Sequence, residues 1–129
     1  MKRYLADTSV LIEHLRGNIH AKHFLEESNP SISTVTIAEL IQGARDKQEL
    51  ASVSKICASL STEAIDKKIS QRAIELLSDL YLSHGLMFLD ALIAATALEN
   101  KMVLVTSNIK HFRKIARLEV ISQDTLLKK

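Results

Sequence analysis

Apolar residues recur along this chain at two periods, and the two together divide it into short strands and longer helices. Residues 2–6 read as a short strand that stops at Asp7. Thr8 and Ser9 then lead into an apolar face at helical spacing, Val10, Leu11, Ile12 and Leu15, which Gly17 closes. A second helix is predicted over about 18–27, followed by a turn at Ser28-Asn29-Pro30 and a strand over 31–35. Thr36 and Glu39 match a Ser/Thr-x-x-Glu capping box. The box predicts a helix through residue 45 with Ile37, Leu40, Ile41 and Ala44 inward. Gly43 inside that helix costs about 1 kcal/mol relative to Ala, which implies a close approach there. Asp46 and Glu49 repeat the box and open a helix to about 60. Residues 64–83 form a long amphipathic pattern with Ile65, Ile69, Ala73, Leu76, Leu77, Leu80 and Tyr81 on one side, ended by His84-Gly85.

The stretch 86–98 differs from the others, because only Asp90 and Thr96 are polar in it. A helix that is apolar nearly all round is covered on every face. Its alanines, at 91, 94, 95 and 97, allow close packing. The run is too short to span a bilayer, which takes about 20 residues. A compact apolar strand follows over 102–105 and ends in Thr106-Ser107-Asn108. Ile109, Phe112 and Ile115 then predict a short basic helix, and a last strand is expected near 118–121. Strands alternating with helices imply an α/β fold with a mainly parallel sheet covered on both faces. Ligands of such sheets bind outside the C-terminal strand ends. Here those ends deliver Asp7-Thr8-Ser9 and Thr106-Ser107-Asn108.

The 129 residues are expected to form one domain over 1–129, with apolar and charged fractions (47% and 25%) ordinary for a globular protein. The formal net charge of +2 does not by itself point to nucleic acid. Its distribution does more: five of the ten residues from Asn108 to Arg117 are Lys, Arg or His, none is acidic, and the chain ends in Lys128-Lys129. The single cysteine, Cys57, reads as a small core residue, excludes an internal disulfide, and suits a reducing, cytoplasmic setting. Asp7 interrupts the first apolar run too early for a signal peptide.

Most of the fifteen acids, Glu26, Glu27, Asp66 and Glu99 among them, fall on charged helix faces. Asp7, Glu39 and Asp90 have mainly apolar neighbours. Each has a purely structural role open to it: an N-cap for Asp7, the back-reaching acid of the capping box for Glu39, a first-turn acid favoured by the helix dipole for Asp90. If the three meet at the strand ends, their repulsion raises a pKa unless a cation sits among them. Oxygen donors alone suit Mg²⁺ or Mn²⁺, whose use in such a site is to polarise a phosphoryl oxygen and to make a nucleophile of water.

Four blocks carry a family resemblance: Asp7-Thr8-Ser9-Val10-Leu11-Ile12, Thr36-Ile37-Ala38-Glu39-Leu40, Asp90-Ala91-Leu92-Ile93-Ala94-Ala95-Thr96-Ala97, and Val105-Thr106-Ser107-Asn108 followed by Phe112. In this order and spacing they resemble the PIN-domain nucleases, and within them the VapC-type toxins of toxin–antitoxin pairs. The resemblance implies a Rossmann-like α/β/α sandwich, its mainly parallel sheet of about five short strands flanked by helices, and an Mg²⁺- or Mn²⁺-dependent endoribonuclease. It further implies cleavage of tRNA or other single-stranded RNA, an inhibiting VapB-type antitoxin, a homodimer, and no membrane. Asp7, Glu39 and Asp90 stand at the family's first three acidic positions, as the expected metal ligands. Its fourth acid is replaced by Asn108 or, where other members place it, by His111, so that catalytic Asn108 brings no charge. Thr8 and Thr106 would support the site, though a strand-end hydroxyl such as Thr106 can equally bond backbone. Lys110, Arg113, Lys114 and Arg117 would hold RNA backbone, or form an ordinary solvated face. A phosphatase of the haloacid-dehalogenase kind needs a second Asp where Ser9 stands. An inactive RNA- or protein-binding module keeps the fold without the chemistry.

Overall fold

The computed structural model describes residues 2–127, so Lys128 and Lys129 lie outside it. The described residues form five strands and seven α-helices: β1 Tyr4–Ala6, α1 Thr8–Leu15, α2 Ile19–Ser28, β2 Ser31–Ser33, α3 Thr34–Gly43, α4 Lys47–Ala58, β3 Ser61–Glu63, α5 Lys67–His84, α6 Phe88–Glu99, β4 Val103–Val105, β5 Val120–Ile121 and α7 Gln123–Leu127. The sheet order is β3-β2-β1-β4-β5 and every pairing is parallel. β1 is central. The chain first builds outward on one side of it, then returns to place β4 on the other, in register Tyr4↔Val103, Leu5↔Leu104 and Ala6↔Val105. The strand order therefore reverses between β1 and β4, which opens a crevice at their C-terminal ends.

Alternation along the strands feeds two cores. Leu5 and Leu104 face one way, into a core with Ile69 and Ala73 of α5 and the alanines of α6. Ala6, Ile32 and Val105 face the other, against Val10, Leu11, Phe24 and Val53 of the helices opposite. α6 is buried without a break from Ala91 to Ala97, and the Thr96 hydroxyl is satisfied by the Leu92 carbonyl (2.7 Å). Its first turn is not covered: Met87, Phe88 and Leu89 are exposed. No described helix is long and apolar enough to cross a membrane.

Several local expectations are corrected. β3 has no apolar residue, so hydrophobic patterning could not place it; its ladder to β2 alone defines it. α3 starts at Thr34 rather than Thr36, because Ser33 is the N-cap and its hydroxyl accepts from the Val35 N–H (3.0 Å). That leaves Ile41 48% exposed, and nothing lies within 4 Å of a Cβ built on Gly43, so no close approach explains the glycine. α5 starts at Lys67, capped by Asp66, and Glu99 pairs with Arg72 at 2.8 Å; neither acid is a bare surface charge. Of the predicted inner face of α5, Ile69 and Ala73 are buried while Ile65 and Tyr81 are exposed. Gly85, at φ +68°, closes this helix as expected of a C-terminal glycine.

The basic segment forms only a 3-10 turn at Ile109–His111, followed by turns. Phe112 and Ile115 pin it to the core, while Lys110 faces Arg113 and Lys114 at helical spacings where like charges oppose a helix. α7 leaves no periodic mark in the sequence; it lies against α2. Cys57 is partly buried rather than fully, and burial pushes its thiol pKa up, as for an unreactive cysteine. Lys101 and Arg117 adopt φ +55° and +69°, at an order of 1 kcal/mol each for a side chain with a Cβ.

The closeness of α6 to its neighbours has a direct test. Ala95 is fully buried, so Ala95→Leu is expected to cost about 1–3 kcal/mol or more, read as a lower urea midpoint with an unchanged slope.

Candidate active site

Asp7 leaves β1 at the crevice, with its backbone N–H on the Val105 carbonyl (2.8 Å). It occupies the N-cap position of α1, yet its side chain makes no cap hydrogen bond. The carboxylate turns the other way and is only 5% exposed. Its Oδ2 accepts from Ser9 Oγ (2.7 Å) and from Thr106 Oγ1 (2.8 Å). Both hydroxyls accept in turn from backbone, Ser9 from the Ser107 N–H (3.0 Å) and Thr106 from the Asn108 N–H (2.9 Å). The loop after β4 thus orients two hydroxyl protons onto one oxygen of Asp7. The 3.2 Å Ser9–Thr106 contact has no proton left to make it a bond.

Glu39 is likewise not a capping acid. α3 begins five residues before it, and its Oε1 accepts from Thr8 Oγ1 (2.6 Å). Thr8 has one proton and gives it to Glu39, so the buried Thr36 hydroxyl donates to Thr8 across 2.9 Å. Asp90 stands in the first turn of α6, where the helix dipole favours an acid. Burial pushes its carboxyl pKa above the ordinary value; the charge of Asp7 pushes the same way, His111 pulls it back, and Glu39 adds a further upward push. Asp90 therefore feels both other carboxylates. His111 Nδ1 lies 3.6 Å from its Oδ2.

As they stand, no three His, Cys, Asp or Glu side chains among the described residues form a ready metal cage. Glu39 is turned onto Thr8 and Asp7 onto its two hydroxyls. The donor set nevertheless fits a hard cation: Asp7 and Glu39 each keep an oxygen without a hydrogen-bond partner among the described residues, and Asp90 accepts no hydrogen bond. Asn108 borders the same loop, its side chain exposed and unbonded among the described residues.

Next to Asp90 lies a groove of about 350 Å³, lined by His84, Lys110, His111, Arg113 and Lys114 over a floor that includes Leu80 and Leu86. Arg117 is not in it and lines a different hollow. Sequence reasoning placed Ser9 at a strand end and Thr36 in a capping box without giving either hydroxyl a site role, and the amide of Gln123 carried no signal. Gln123, 4% exposed, holds Ser107 through Nε2 (3.0 Å), so α7 braces the loop that feeds Asp7.

The sequence profile of the PIN domain matches residues 4–118. The chain belongs to the PIN-domain family. Two related proteins of Mycobacterium tuberculosis place it among the VapC members: ribonuclease VapC10, 36% identical over 120 residues (89% of this chain, 90% of that protein), and ribonuclease VapC19, 31% identical over 114 residues (84% and 90%). A solved toxin–antitoxin complex from Klebsiella pneumoniae superposes with a TM-score of 0.78 at 28% identity, covering 93% of this chain and 97% of that one. The DNA-bound VapBC of Salmonella typhimurium superposes at 0.85 with 22% identity (95% and 99%), a likeness of fold. The five-stranded parallel sheet between two helical layers is thus the PIN-domain α/β/α sandwich.

The PIN-domain carboxylates carry a prediction. The native Asp90 carboxyl keeps its proton to higher pH than the unfolded one, so stability falls as pH rises from the ordinary carboxylate range to the raised native value. In chelator-treated protein, Asp90→Asn is expected to melt about 1–3 °C higher at pH 7, a modest gain because solvent screens a side chain 31% exposed. The gain should vanish below about pH 4.

Proposed function

We propose that this chain is the toxin of a type II toxin–antitoxin pair: a divalent-metal-dependent endoribonuclease of the cytoplasm, inhibited by a VapB-type antitoxin. What supports the reading is that Asp7, Glu39 and Asp90, borne by three separate elements, lie near enough for Asp90 to feel the charge of both others. The two M. tuberculosis relatives, both named as ribonucleases, support the activity, and the Klebsiella structure, a toxin–antitoxin complex, supports the partner. The relatives named as ribonucleases weigh against the inactive binding module.

Asp7, Glu39 and Asp90 are the residues that would hold Mg²⁺ or Mn²⁺. Such an ion, when bound, would supply charge neutralisation, polarisation of a phosphoryl oxygen and a water of lowered pKa. The chain's own residues prepare that chemistry. Ser9 and Thr106 keep one oxygen of Asp7 occupied and so aim the other. Thr8, backed by Thr36, does the same for Glu39. Asn108 offers a neutral carbonyl at the edge of the site. Lys110, Arg113 and Lys114, in the groove beside Asp90, hold the RNA backbone by charge, so affinity falls with salt. The substrate is tRNA or another RNA with a single-stranded loop.

The protein works as a homodimer. Ile74, Tyr81, Leu82, Met87 and Phe88 of α5 and the start of α6 border one open apolar hollow and are all exposed, Leu82 at 94%. A contiguous apolar patch of this kind marks an interaction surface, and a two-fold dimer buries it on both copies.

Two experiments test these statements. Labelled tRNA incubated with the protein and Mn²⁺ is expected to be cut; EDTA stops cleavage, and Asp7→Asn lowers it at least about 10³-fold while leaving the melting curve cooperative. Cleavage that persists in EDTA or in Asp7→Asn protein excludes the metal mechanism. Leu82→Glu is expected to turn a dimer into a folded monomer in sedimentation velocity; a wild-type protein that is already monomeric sinks the dimer.

A further inference from the structure

A second basic hollow lies at the opposite pole of the sheet, where β1 and β4 begin. It measures about 420 Å³ and is lined by Lys2, Arg3, Arg72, Lys101 and Arg117, with Glu119 as its one acid. Lys2 pairs with Glu119 (2.8 Å), Arg72 pairs with Glu99 (2.8 Å), and Arg3 donates to the Asn100 carbonyl at the end of α6. Lys101 and Arg117 have no ion-pair partner among the described residues. Both are also left-handed, a backbone conformation that glycine or asparagine adopts at less cost. The chain thus keeps two unpaired cations at turn positions that disfavour them, and both turns open onto the same hollow. Offsetting the negative end of the α6 dipole accounts for a cation there, and Arg3 already serves it. It does not account for Lys101 and Arg117 as well.

The two poles are connected by charge. The chain must return from the C-terminal end of β4 to the start of β5, because the two strands are parallel. That return is the basic segment, with Lys110, Arg113 and Lys114 in the groove beside Asp90 and Arg117 in the far hollow. α6 spans the same interval, with Asp90 in its first turn and Asn100 at its C-cap, about 15 Å apart along the axis.

We propose that this far hollow is a second phosphate-binding subsite for the RNA, taking backbone that continues past the cleavage site along residues 109–117. It rests on the ribonuclease reading and narrows the substrate to an RNA whose backbone reaches at least about 15 Å beyond the scissile phosphate, a folded RNA rather than a short fragment.

Binding is measured by fluorescence anisotropy on Asp7→Asn protein, with labelled tRNA and a labelled hexanucleotide as probes. Adding Lys101→Ala and Arg117→Ala is expected to weaken tRNA about tenfold and to lower the slope of log affinity against log salt by about 1 to 2, with the hexanucleotide changed less than about twofold. Lys101→Gly with Arg117→Gly removes the same charges while relaxing both turns, and is expected to give the same loss in a protein that melts no lower. Lys101→Arg with Arg117→Lys should restore binding. Unchanged tRNA affinity, an equal loss on both probes, or no tRNA binding by the starting protein overturns the subsite. A wild-type protein that cuts no RNA while its tRNA binding shows the charge dependence overturns the ribonuclease reading and leaves the subsite standing.

Discussion

Carboxylates brought together in a partly buried crevice repel one another, and whatever gathers them must hold them against that force. Here the holding is done by hydroxyls. Ser9 and Thr106 clamp Asp7, and Thr8 clamps Glu39 with Thr36 behind it. Asp90 has no such donor among the described residues, and burial, with the charges of Asp7 and Glu39, raises its proton affinity. It stands at a helix end whose dipole favours a negative charge.

The reversal of strand order makes this arrangement possible. Because β4 returns to the open flank of β1, a threonine almost a hundred positions away can touch Asp7. Gln123 extends the bracing outward, through Ser107, to the last described helix. The basic segment between β4 and β5 is the counterpart of the acid cluster. It starts at the crevice, passes Asp90 with His111, and ends at the far pole with Arg117.

Much of this was legible in the residues, for identifiable reasons. Asp7, Glu39 and Asp90 stood out because acids in apolar surroundings are expensive, and the parallel sheet followed from strands alternating with helices. The errors have equally physical sources. Thr36 and Glu39 have the spacing of a capping box, but Ser33 two residues after the start of β2 caps the helix first, and no local pattern distinguishes the two. β3 is defined by its backbone ladder to β2, and backbone pairing leaves no mark in composition. Ser9, Thr36 and Gln123 are ordinary polar residues until the fold brings a partner to each. Patterning also overstated the cover of α5 and of the first turn of α6, since an apolar face meant for another surface has the same spacing as one meant for the core.

The pairing of β1 with β4 has a consequence for synthesis. Asp7 leaves the ribosome early, but the hydroxyl that clamps it belongs to residue 106, ninety-nine positions later. At translation rates of about 5–20 residues per second, the nascent chain spends roughly 5–20 s with its first acid exposed and no crevice to put it in. The crevice cannot close before residue 106 has emerged, so a growing chain that has not reached it carries no assembled centre.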